Sequence, residues 1–118
     1  MFYTYNQNNS GGHFRFDKQA GISHIVIVEA NNVISANARA ESIGLYFDGD
    51  GDCSCCGSRW SESYSSDATD TPEVYGIAVV LGQSFEDAHS IEHYSHKWIT
   101  GPEGFIHYLD GRIEPFWN

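Results

Sequence analysis

The chain has 118 residues, 41% of them hydrophobic and 14% aromatic, and a formal net charge of −10. This suits one soluble domain with a modest core that folds without disulfides, and no apolar run is long enough to cross a membrane. The acidity excludes binding to a nucleic-acid backbone, because that affinity comes from lysine and arginine displacing condensed counterions.

Taken in order, Phe2 to Asn6 alternates large and polar residues. After the turn formers Asn8 to Gly12, a second alternation runs from His13 to Asp17, so the two predict an N-terminal hairpin. The stretch Ser23 to Glu29 is rich in Ile and Val and predicts the strongest strand. Asn31 or Asn32 can cap a helix over Val33 to Ile43, with Val33, Ala36, Ala40 and Ile43 at helical spacing and Gly44 ending it. Leu45 to Phe47 predicts a short extended piece leading into an acidic, cysteine-containing region, about 48–73, expected to be mobile. Its Ser61 to Pro72 part, dominated by Ser, Asp and Thr, is expected to bury little. Val74 to Leu81 predicts a strand interrupted by Gly76. Partial helical spacing of Phe85, Ala88 and Ile91 predicts a second helix over 84–97. Phe105 to Leu109, the turn Asp110-Gly111 and Arg112 to Phe116 predict a C-terminal hairpin. Together these predict one α+β domain: an antiparallel sheet with hairpins at both termini and one or two helices packed on one face.

Charge is unevenly placed. Residues 1–47 carry three acids and three bases, 48–73 carry seven acids against Arg59 alone, and 74–118 carry six against two. A field of this kind attracts metal ions and basic protein surfaces, or it serves solubility alone. The opening Met1 to Tyr5 lacks the basic region, apolar stretch and cleavage site of a secretion signal, so a reducing cytoplasm is expected, where thiols stay free or bind metal.

All three cysteines fall within Cys53-Ser54-Cys55-Cys56-Gly57. Cys53 and Cys56 have the C-x-x-C-G form of a zinc knuckle, in which a tight turn aims two thiolates at one ion. That supplies half a tetrahedral site. Cys55, a histidine, a carboxylate or another chain would complete it, and His89, His93 and His96 would share one stripe if 84–97 were helical. Zinc is the cofactor these residues suggest, and the opposite possibility is that small cysteines simply pack a turn. Asp48 to Asp52 resembles the opening of a calcium loop, but Cys53 and Arg59 stand where that loop needs glycine and glutamate. A nucleophilic cysteine is disfavoured, because the surrounding carboxylates raise a thiol pKa.

A second candidate site gathers Tyr3, Tyr5, Asn6, Asn8, Asn9, His13, Arg15, Arg59, Trp60, His107 and Arg112. Rings can stack a nucleobase, asparagines can read its edge and an arginine can meet a phosphate. Alternatively, the rings complete the core and the asparagines only form turns.

The segments Tyr5 to Gly12, Val26 to Ala40, Gly44 to Gly49, Cys53 to Trp60 and His107 to Arg112 resemble a family of small uncharacterised proteins of tailed bacteriophages. That resemblance covers most of the length outside 61–100 and implies an accessory protein acting in the cytoplasm of a bacterial host, with no activity attached. The expected role is therefore non-enzymatic binding that antagonises a host defence or regulatory process. Its ligand would be a small nucleotide signal or a basic host protein surface, with homo-oligomers compatible with either. The alternatives are a zinc-dependent enzyme using the cysteine motif and histidines, and a minor virion or assembly protein.

Overall fold

The computed structural model describes residues 1–7, 17, 19–47, 60–79, 81 and 104–116. Its centre is a strand buried on both sides. In β2, Ile25–Glu29, the first four residues are at most 5% exposed. β1, Phe2–Asn6, pairs with it antiparallel through Tyr3↔Val28 and Tyr5↔Val26. β5, Gly104–His107, pairs on its other side in parallel, through Val26↔Phe105 and Val28↔His107. β6, Ile113–Phe116, closes the sheet antiparallel to β5, giving the order β1-β2-β5-β6.

The α+β class holds, but the sheet is mixed rather than wholly antiparallel. An unbroken Ile-Val-Ile-Val run is what a strand covered on both faces requires, and parallel pairing is found in such settings. The C-terminal hairpin forms as expected, with Tyr108 N donating to Arg112 O at 2.8 Å across the Asp110-Gly111 turn. The N-terminal one falls largely outside the described residues, and the ladder partner described for β1 is β2. Of the expected return strand only Asp17 is described, and it bridges Ile22.

Helix α1, Val33–Ile43, has the expected bounds. Asn32 caps it by accepting the Ser35 N–H at 2.9 Å, and Gly44 closes it by donating to Ala40 and Glu41 carbonyls. Ala36 and Ala40 are fully buried and join Tyr3, Tyr5, Val26, Val28, Leu45 and Trp60 in one core layer. Small side chains on that stripe let the helix lie close to the sheet. The opposite face is covered too, by a second layer of Ile25, Ile27, Ile106, Phe116 and Val74, with Phe2, Val79 and Tyr108 packed against it. A face left open for ligand, which a helix on one side alone would leave, is therefore absent among the described residues.

The strand expected over Val74 to Leu81 is instead a minimal hairpin, β3 (Glu73–Val74) and β4 (Ile77–Ala78). Tyr75 and Gly76 form its turn with φ of 53° and 80°. Two successive left-handed residues define the turn that matches strand twist, so the glycine folds the strand back rather than merely interrupting it. Residues 61–72 bury little, as expected: Ser63, 6% exposed, is the one buried residue among them, although Trp60 just before is 2% exposed and Thr69 bridges Phe2. The second helix expected over 84–97 lies outside the described residues.

Candidate functional site

The sequence 60–76 wraps around the free edge of β1 and leaves a cleft there. On the helix side, Asn37 of α1 fixes this wrap. Its Oδ1 accepts the Ser63 N–H at 3.0 Å and the Tyr5 hydroxyl at 2.8 Å, while its Nδ2 donates to Ser63 O at 3.1 Å. At the start of β1, Phe2 and Thr69 exchange main-chain hydrogen bonds of 2.8 and 3.0 Å. On the far side, the Thr4 hydroxyl donates to Glu73 O at 2.9 Å and so anchors β3. A short 3-10 turn, Ser65–Asp67, lies between the first two anchors, and its Asp67 carboxylate accepts the Tyr64 N–H at 2.8 Å.

The resulting open cleft, of about 380 Å³, is lined by Thr4, Asn6, Ser63, Thr69 and Gly76 among others, and by the carboxylates Glu62, Asp67 and Glu73. Tyr75, 85% exposed, stands at its margin. Among the described residues no cationic side chain lines it. Burial pushes the Tyr5 hydroxyl well above the ordinary tyrosine pKa, with Tyr3, Glu62 and Asp67 adding to the rise against the lowering effect of its bond with Ser63, so it remains a neutral donor. This arrangement can attract a cation and offer hydrogen bonds. Among the described residues it holds no positive charge that would receive a phosphate.

The structure divides the residues expected to bind a nucleotide. Tyr3, Tyr5 and Trp60 do come together, but as core, each at most 3% exposed, with Tyr5 stacked on Phe47 at 6.0 Å. Large rings at those positions fill the space between α1 and the sheet, so their faces are not available to a base. His107 is also buried, its Nε2 2.8 Å from Gly21 O. Burial lowers its pKa, with Arg39 contributing, against a raising bond to Gly21, so the neutral ring donates there. Arg112 sits at the β5–β6 turn, towards the opposite edge of the sheet, where its Nε meets Asp110 at 2.9 Å and its guanidinium lies 4.3 Å from the centre of the Tyr108 ring. Of the expected residues that are described, only Tyr5 and Asn6 line the cleft.

Asn8, Asn9, His13, Arg15 and Arg59 lie outside the described residues, as do Cys53, Cys55, Cys56 and the three clustered histidines, so the zinc site is not placed. Among the described residues no group of three or more His, Cys, Asp or Glu is arranged to hold a metal ion. Glu62, Asp67, Glu73 and Tyr75 were not singled out by sequence. The acidity of 48–73 was the available signal, but the bridge from Thr69 to Phe2 that brings these carboxylates to β1 leaves no local trace.

No helix among the described residues is long and apolar enough to cross a membrane. Neither a curated protein nor a solved structure matches the chain. A family model does match, over residues 1–117, and the chain thus belongs to the family described as a domain of unknown function, DUF7296.

Proposed function

We propose that this chain is a phage-encoded accessory protein that acts in the bacterial host by binding, and that its target is a basic segment of a host protein received at the cleft beside β1. The observation that carries this role is the lining of that cleft by Glu62, Asp67 and Glu73, with no cation among the described residues that line it. The overall charge of −10 supports it by drawing a basic partner towards the chain before contact. A nucleotide signal is the weaker candidate, because the rings meant to stack it are packed in the core and Arg112 is already engaged.

The test is retention of host proteins by the immobilised chain and by a triple variant, Glu62→Gln, Asp67→Asn and Glu73→Gln, at rising salt. These substitutions remove charge while keeping shape. A host protein retained at low salt, released as salt rises and absent from the variant supports the role. Equal retention by the variant, or release of an intact or altered nucleotide on heating the purified chain, overturns it.

A further inference from the structure

We propose that the outward edge of β1 takes an extended, lysine- or arginine-rich segment of the partner as an added strand of the sheet. This rests on the binding role above and specifies its mode. Among the described strands β1 ends the sheet, so one side of its main chain faces β2 and the other faces away. The Phe2 N–H and C=O both point away and meet Thr69. Alternation along a strand then places the main-chain groups of Thr4 and Asn6 on that same outward side. Among the described residues, Thr4 O receives only a long 3.5 Å bond from Ser63, and nothing pairs with the Thr4 N–H or with the outward main chain of Asn6.

An exposed edge of this kind is a template for an incoming strand, and proteins ordinarily blunt it with a charge, a proline or a cover. Among the described residues the wrapping segment pairs with the main chain of β1 only at the Phe2 end. From Thr4 to Asn6 it stands back and forms the walls of the cleft, with Ser63 and Glu62 on the α1 side and Glu73 and Tyr75 on the other. A strand laid in this slot continues the line begun by Thr69. Main-chain bonds to Thr4 and Asn6 give it register, and its alternating side chains project towards the two acidic walls. The carboxylates select a basic strand and repel an acidic one. They also disfavour a second copy of this acidic chain as the occupant.

The test uses a peptide of about eight residues alternating lysine and threonine, the same peptide N-methylated along one edge, and spermine as a polycation without a backbone. Titrations at low salt are read against the intact chain and against Asn6→Pro and Asn6→Ala. Proline removes the outward N–H of Asn6 without touching a β1–β2 hydrogen bond, and alanine keeps it. Binding of the peptide that falls about tenfold on N-methylation and on Asn6→Pro, but not on Asn6→Ala, supports strand addition. If N6P fails to fold, the methylated and unmethylated peptides on the unaltered chain decide alone. Equal binding of all three polycations, lost in the triple carboxylate variant, leaves the acidic binding role standing and overturns strand addition. Absence of binding by every polycation overturns both. Self-association abolished by N6P would make a second copy the occupant and overturn the basic partner.

Discussion

Asn37 and Ser63 hold each other through two hydrogen bonds, side-chain amide to main chain in both directions, and the same Asn37 oxygen receives the Tyr5 hydroxyl. One half-buried side chain thus joins α1, β1 and the wall of the cleft. Asn37→Ala leaves the hydroxyl of Tyr5 and both main-chain groups of Ser63 without these partners. The expected loss is about 2–3 kcal/mol in chemical denaturation, because unpaired buried polar groups forfeit their hydration. Asn37→Asp retains the two bonds accepted by Oδ1 and should lose less. Weaker binding at the cleft accompanies the alanine change, since the Ser63 wall is released.

His24 and His107 predict the acid limb of stability. Burial lowers the His24 pKa from 6.5 to about 4 and also lowers that of His107, so both rings stay neutral in the folded state while the unfolded chain binds protons near pH 6.5. The unfolded state therefore holds more protons as pH falls, and stability drops with it. The contribution is fully present above about pH 6.5 and is lost progressively towards pH 4, with His24 alone accounting for roughly 3 kcal/mol. Denaturation midpoints across that window should show this slope. A shallower slope in His24→Leu, whatever its absolute stability, identifies the residue. An unchanged slope excludes it.

Gly104 lies where β5 enters the parallel pairing with β2. A Cβ there would collide with the main-chain carbonyl of Ile25 and come within 2.6 Å of the Phe116 ring. The carbonyl belongs to the central strand and cannot move without breaking the ladder. Gly104→Ala should thus cost about 3 kcal/mol, near the top of the range for overpacking. A thermal midpoint close to that of the unaltered chain would show that the β2–β5 junction yields more than its packing indicates.

How far these relationships could be read from sequence depends on their range. Asn32, the alanine stripe and Gly44 specify α1 within a few residues of each other, and Asp110-Gly111 specifies the C-terminal turn in the same way. Such local signals gave correct bounds. The parallel pairing of Val26 with Phe105 joins residues on opposite sides of α1, the wrap and 80–103, and Ile-Val-Ile-Val alone did not distinguish it from an antiparallel partner. Alternation in β1 puts Tyr3 and Tyr5 on one face, but whether that face meets solvent or a helix is decided by α1. Likewise the acidity of the wrap was visible, whereas the cleft exists only because Thr69 and Glu73 dock on β1.

Tyr75 offers the last prediction, because it is the sole described non-glycine residue with positive φ and is 85% exposed. A bulky side chain in the left-handed region costs roughly 1 kcal/mol, and exposure this high returns little packing to offset it. Asparagine adopts that conformation more readily and is favoured in such turns. Tyr75→Asn should therefore stabilise the fold by about 0.5–1 kcal/mol in chemical denaturation. If the ring serves the cleft it borders, the same change weakens binding of a lysine-rich peptide, since an aromatic face beside carboxylates holds a cation better than an amide does. Greater stability with weaker binding marks strain kept for recognition. Greater stability with unchanged binding makes Tyr75 a bystander and confines the site to β1 and its acidic walls.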